Sequence, residues 1–145
     1  IRSAVAPWVV SRAWVLAIGV GLAACGAQNR ASEEPRYRAL RFEQRARALA
    51  GLGDLPSAIH FATGALVVRI AACGYECPEP AYSFVQLGDL RLQNRQPEHA
   101  AQSYARAREI LEPHSATHRE WIDAVEVRLA LACGQAPQAP PACAP

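Results

Sequence analysis

The sequence predicts an all-α domain, because apolar residues recur at helical spacing and no segment alternates in the manner of a β-strand. Phe42, Ala46 and Leu49 follow the spacing i, i+4, i+7, which places them on one face of a helix. The segments 39–72 and 81–114 are each 34 residues long and align with one another, so the domain contains an internal repeat. We therefore expect two similar helical hairpins in succession.

Proline and aspartate mark where the helices of these hairpins begin. Asp54 is a helix-capping residue type, with Pro56 in the first turn that would follow it. Pro80 and Pro97 stand at the expected starts of the next two helices. The two repeats should therefore each consist of two helices joined by a short turn.

A fifth helix is predicted over residues 115–132. Trp121, Val125 and Leu129 form its apolar stripe, and Gly134 is placed where a left-handed residue could end it. Helical-repeat domains need a last helix that covers the exposed face of the preceding repeat. We expect this helix to have that role.

The two hairpins resemble the tetratricopeptide repeat, a helix-turn-helix unit of 34 residues. The resemblance rests on apolar, small and aromatic positions, which are Phe42, Phe84, Ala46, Gly88, Ala58, Ala65, Ala100, Ala107 and Tyr104. Arg45 and Arg95 depart from the repeat pattern, the second by replacing a turn glycine. The resemblance implies a short right-handed helical-repeat solenoid of two such units plus a C-terminal capping helix, with the small residues where the helices cross.

The N-terminal residues resemble a bacterial lipoprotein signal peptide. Arg2 and Arg12 precede the apolar run 13–24, whose 12 residues are too few for a membrane span of about 20. The run ends in Leu-Ala-Ala followed by Cys25, and the resemblance makes Cys25 the lipidated residue of an exported protein. Gly26 is not the Asp of an inner-membrane retention signal, so we expect the outer membrane, facing the periplasm. The alternative is an uncleaved membrane helix over residues 4–24.

The charge of the domain argues against nucleic-acid binding. Two of the 15 arginines lie in the leader, which leaves 13 arginines against 13 acidic residues, a net charge of zero. The predicted organisation has four segments: a signal peptide at 1–24, a lipidated tether at 25–38, a repeat domain at 39–132 with an insertion at 73–80, and a Pro-rich tail at 133–145.

Four cysteines remain after the lipidation site, and an exported chain is expected to oxidise them. In a stack of helical hairpins Cys73 and Cys133 fall on opposite edges, which favours the local disulfides Cys73–Cys77 and Cys133–Cys143. The alternatives are free or mixed thiols and a zinc site of all four thiolates. Nine residues separate the second pair, whereas zinc ligands are usually two to four residues apart.

The inner face of the predicted solenoid is its candidate binding surface. Mapping the repeat positions onto this sequence assigns the groove to Glu43, Arg47, Tyr82, Val85, Asp89, Gln93, Arg119 and Asp123. Such a mixed surface suits a peptide or a partner helix. No phosphate loop, zinc-protease or serine-hydrolase motif occurs, so we expect neither enzymatic activity nor a cofactor or metal.

These observations predict a lipid-anchored adaptor or scaffold of the cell envelope. Its partner would be an envelope protein or peptide, as in the assembly of an envelope, pilus or secretion complex. The alternative function is a cysteine-dependent metal- or redox-handling envelope protein.

Overall fold

The computed structural model describes residues 34–144, and this part of the chain is all-helical without a β-strand. The prediction of an all-α domain is thus confirmed. The helices are α1 (34–51), α2 (Leu55–Cys73), α3 (Glu79–Gln93), α4 (Pro97–Leu111) and α5 (Ser115–Gln135), with 3₁₀ turns at Glu112–His114 and Pro141–Cys143.

The predicted leader and its Cys25 lie outside the described residues. The segment assigned to the tether, 25–38, is already helical from residue 34 onward, which corrects the predicted boundary. Pro35 is compatible with this because a proline in the first turn sacrifices no helical hydrogen bond. An exposed ion pair of 2.7 Å between Arg38 and Glu34, one turn apart, adds to the same turn.

The helix starts agree with the positions of aspartate and proline. Asp54 is the N-cap of α2, and its carboxylate accepts a hydrogen bond of 3.2 Å from the backbone N–H of Ser57. Pro56, Pro80 and Pro97 all lie within the first two positions of their helices.

The last helix begins at the predicted residue but ends beyond the predicted position 132. It begins at Ser115, whose predecessor His114 makes no side-chain cap, and its backbone is non-helical at His118. Gly134 does not end the helix, which continues to Gln135, and its φ is not positive. The reason is that the tail leaves α5 in an extended conformation at Ala136, so no left-handed residue is needed.

The turns inside the two hairpins have the same backbone geometry. Gly53 and Arg95 each precede the N-cap of the second helix, with φ values of 83° and 57°. In each turn the next residue donates a backbone hydrogen bond five residues back, at 3.0 Å for Asp54 and 2.9 Å for Gln96. Arg95 therefore has a conformation that a side chain disfavours by about 1 to 2 kcal/mol.

Replacing Arg95 with glycine should consequently stabilise the domain. The strain relieved exceeds the extra chain entropy of glycine, about 0.5 to 1 kcal/mol, so the free energy of unfolding should rise by up to about 1 kcal/mol in a urea titration. Asn94 is the matched control, because its φ of −81° is an ordinary one. Asn94→Gly should not stabilise; equal effects of the two substitutions would contradict the strain argument.

The core consists of two apolar clusters that both include α3. The first lies among α1, α2 and α3, and its buried members are Ala46, Ala58, Ala62, Leu66, Leu87 and Leu90. The second joins α3, α4 and α5 around Tyr104, Leu111 and Val125, and Phe84 packs against both clusters. Because α3 contributes to each cluster, it is the central element of the described fold.

Gly88 lies at the crossing of α3 and α4, as the repeat pattern predicts. A Cβ atom built there would be 2.5 Å from Cε1 of Tyr104, closer than any real contact. The tyrosine ring therefore occupies the space that a side chain would need. The alanines expected at crossings, Ala46, Ala58, Ala65, Ala100 and Ala107, are all fully buried.

Helix α2 is long and apolar enough to span a membrane, judged by its length and composition alone. In the fold it instead supplies Ala58, Ala62 and Leu66 to the first cluster, and its Arg69 is engaged in a buried ion pair.

Candidate functional site

Helices α1, α3 and α5 carry all of the predicted groove residues, and side chains connect these helices directly. Ser83 on α3 donates to Glu43 on α1 at 3.5 Å. On the other side of α3, Tyr82 packs edge-on against Trp121 of α5, with ring centroids 4.6 Å apart. Side chains of α3 therefore contact both α1 and α5.

Glu43 is not an accessible groove residue, because it is 8% exposed and paired with Arg69. The Arg69 guanidinium is 2.6 Å from the Glu43 carboxylate, and it also donates to the backbone carbonyl of Glu79 at 3.1 Å. Ser83 completes the group from α3. We call Glu43, Arg69 and Ser83 the first polar node; it joins α1, α2 and α3.

Asp89 belongs to an equivalent group at the other end of the fold. Its carboxylate accepts a hydrogen bond of 2.7 Å from the buried Tyr104 hydroxyl and lies 3.3 Å from the Arg128 guanidinium. Asp89, Tyr104 and Arg128 form the second polar node, which joins α3, α4 and α5. Burial, then the hydrogen bond to Asp89 and the charge of its carboxylate, raises the pKa of Tyr104 well above the usual value near 10.

Because the pKa of Tyr104 is raised, the free energy of unfolding should fall as the pH rises above about 10. A tyrosine ionises near pH 10 in the unfolded chain, so the stabilisation by neutral Tyr104 is complete below that pH. Above about pH 10 it is lost by up to about 1.4 kcal/mol per pH unit. Tyr104→Phe lacks this dependence, so the stability difference between the two proteins should shrink between about pH 8 and pH 11 in urea titrations.

The exposed Tyr37 provides the control for this titration, because it is 60% exposed. Tyr37→Phe should change the free energy of unfolding by less than about 0.5 kcal/mol, as is usual for an exposed position. A constant difference between the Tyr104→Phe variant and the unsubstituted chain would show that the folded protein does not hold Tyr104 neutral.

Fewer of the predicted groove residues are accessible than the sequence assignment implies. Val85 is buried in the second cluster, whereas Tyr82 is half-buried. The remaining predicted residues are exposed: Arg47, Gln93, Arg119 and Asp123. Arg119 and Asp123 approach each other to 3.8 Å, one turn apart on α5.

Trp121 is a surface residue that sequence reasoning placed in the core. It is 43% exposed and contacts Tyr82, while its neighbour Ile122 is buried in the second cluster. The ring of His118 lies beside that of Tyr82 as well, at 6.5 Å between centroids. We call Tyr82, His118 and Trp121 the aromatic patch. Trp121 and Ile122 are adjacent in the sequence, so the apolar spacing alone does not show which of them faces the core.

No protein-family model, curated protein or solved structure gives a match to this chain. The interpretation of the site therefore rests on the geometry of these residues.

The four later cysteines form two pairs at disulfide distance, which fits the predicted pairing. Cys73 and Cys77 have Cα atoms 6.1 Å apart and close the loop between α2 and α3. Cys133 and Cys143 have Cα atoms 5.7 Å apart and hold the tail against the end of α5. Through this second pair, Ala142 and Cys143 pack against the second cluster.

One group of residues has a composition that suits metal ligation. The sulfur atoms of Cys73 and Cys77 and a carboxylate oxygen of Glu79 all lie within 4.8 Å of one another. These residues are at the end of α2, in the loop, and at the start of α3. They are remote in sequence from the predicted groove residues of α5.

Proposed function

We propose that this chain is a lipid-anchored adaptor of the cell envelope that binds a partner protein or peptide through tetratricopeptide-like repeats. The observation that carries the proposal is the contact of α3 with both α1 and α5, with the aromatic patch and several charged groups exposed on these helices. Half-exposed aromatic rings beside polar groups are typical of protein-binding surfaces.

Three features support the tetratricopeptide-like arrangement. Each helix packs on the next one in the chain from α2 to α5, as in a stack of hairpins. The turns at Gly53 and Arg95 have matching geometry, which is expected if the hairpins are repeats. Gly88 and the buried alanines lie where small residues allow close helix crossings.

The resemblance of residues 22–25 to a lipidation site supports the anchor. Acyl chains on Cys25 would retain the domain at a membrane, since each buried methylene contributes about 0.8 kcal/mol and two or more chains give stable attachment. Tethering also raises the effective concentration of a small binding surface toward a membrane partner. The adaptor can therefore act with modest intrinsic affinity.

Site-specific crosslinking tests the binding surface. A photoreactive amino acid at Trp121 should give a discrete crosslinked product in cells that contain the full chain. The same amino acid at Glu109, an exposed residue of α4, is the control and should not. Equal products at both positions, or none at Trp121, would contradict binding through the aromatic patch.

The anchor has its own test. Mass spectrometry of the purified protein should find acylation on Cys25, and Cys25→Ser should release the domain from the membrane fraction without changing its helical content. A chain that keeps residues 1–24 and carries no acyl group would support the uncleaved membrane helix instead.

A further inference from the structure

The loop between α2 and α3 brings together three potential metal ligands, independently of any partner binding. Cys73 is the last residue of α2, Cys77 lies in the loop, and Glu79 is the first residue of α3. Their donor atoms are all within 4.8 Å of one another. Two thiolates bound to one zinc ion with tetrahedral geometry are about 3.7 Å apart, because each Zn–S bond is about 2.3 Å. The two sulfur atoms are joined in a disulfide in the structure, and once that bond is broken they can separate to this spacing while the Cα atoms stay 6.1 Å apart.

The Glu79 carboxylate adds an observation of its own. Its Oε1 atom lies 3.7 Å from the Arg36 guanidinium. Its Oε2 atom is buried and has no hydrogen-bond partner among residues 34–144, although the side chain as a whole is 43% exposed. A buried carboxylate oxygen is rarely left without a partner, so this atom is available to a ligand. The loop itself is held by His114, whose Nε2 is 2.9 Å from the Glu76 carbonyl oxygen.

We propose that reduction of the Cys73–Cys77 disulfide converts this loop into a binding site for a zinc-like divalent ion. A dithiol reductant supplies two electrons and two protons, becomes a disulfide itself, and leaves two thiols on the chain. The metal ion then displaces the two thiol protons and is bound by both sulfur atoms and by Glu79. Water fills the fourth position, because Cys73 is exposed to solvent.

The site differs from the four-thiolate zinc site that the sequence leaves as an alternative. It uses one local cysteine pair with a three-residue spacing, which lies within the range usual for zinc ligands. In the described residues, Cys133 and Cys143 have no His, Asp or Glu donor within the same distance. The second pair is therefore an internal control.

Cobalt binding to the full-length, unlipidated chain tests the proposal. The protein is reduced with a phosphine, since dithiols bind metals themselves, and titrated with Co²⁺ without oxygen. We expect a sulfur-to-cobalt charge-transfer absorption that reaches one equivalent and disappears when Zn²⁺ is added. The oxidised chain should show no such band.

Variants assign the band to the loop. Cys73→Ser/Cys77→Ser should abolish it although Cys25, Cys133 and Cys143 remain, whereas Cys133→Ser/Cys143→Ser should keep it. Glu79→Gln should weaken cobalt binding by at least about tenfold. A loss of that size already follows when a residue that only hydrogen-bonds to a metal ligand is replaced, and Glu79 is proposed as a ligand itself.

Circular dichroism must show that each variant is as helical as the unsubstituted chain. If the Cys73→Ser/Cys77→Ser variant is not, the Glu79→Gln and Cys133→Ser/Cys143→Ser variants decide the question. No band in the reduced chain, or a band that survives loss of Cys73 and Cys77 in a folded variant, overturns the proposal. So does unchanged affinity in Glu79→Gln.

Discussion

Gly88→Leu should lower the free energy of unfolding by about 3 kcal/mol, the upper part of the usual range for overpacking a core. A Cβ atom alone would be 2.5 Å from Cε1 and 2.8 Å from Cζ of Tyr104. The ring cannot retreat, because it is fully buried and its hydroxyl is hydrogen-bonded to Asp89 at 2.7 Å. The helices α3 and α4 must therefore separate to admit the new side chain.

Urea unfolding of the oxidised protein measures this effect, with Gly134→Leu as the control. Gly134 is also helical, yet a Cβ atom there would meet nothing within 4 Å. Leucine is a better helix former than glycine by up to about 1 kcal/mol, so the control should be neutral or stabilising. A Gly88→Leu variant as stable as the Gly134→Leu variant would mean that α3 and α4 do not cross at Gly88.

Glu43→Ala is expected to cost about 3 kcal/mol or more, because it leaves the Arg69 guanidinium without its partner in the interior. The side chain of Arg69 is only 18% exposed, and its pair with Glu43 spans 2.6 Å. Removing one member of a buried ion pair typically costs about 3 to 5 kcal/mol. One hydrogen bond of Arg69, to the Glu79 carbonyl, survives the substitution and moderates the loss.

Two further variants separate burial from ion pairing. Glu109→Ala breaks a pair with Arg106 that has the same 2.6 Å distance but is exposed, so its effect should stay below about 1 kcal/mol. The double variant Glu43→Leu/Arg69→Met should recover most of the stability lost in Glu43→Ala, since no unpaired charge remains. If the double variant is no more stable than Glu43→Ala, the cost has another origin than the stranded arginine.

The sequence is informative about this fold wherever one residue type has one physical use. Gly88 and the repeated alanines predict close helix crossings because larger side chains would not fit; the structure places Gly88 against the Tyr104 ring and buries the alanines completely. Asp54 and the prolines predict helix starts for equally local reasons. Arg95 is the opposite case. The repeat pattern predicts a turn glycine at this position, but the residue is an arginine and it has a positive φ.

The candidate site was less predictable, because it depends on partners that are distant in sequence. The repeat pattern assigns Glu43 to the groove, but in the structure its carboxylate is buried in an ion pair with Arg69 of α2. Nothing local distinguishes Trp121 from Ile122 as the core residue of α5, since the choice depends on Tyr82 across the interface. The approach of Glu79 to the cysteines likewise requires the three-dimensional course of the loop.

The two polar nodes have a consequence for how the domain opens locally. The first node ties α3 to α1 and α2, and the second ties α3 to α4 and α5. Either end can therefore detach while the other node stays intact, whereas releasing α3 breaks both. Amide hydrogen exchange should thus be slowest in α3 and faster toward α1 and α5, so that the domain behaves as two cooperative units sharing one helix.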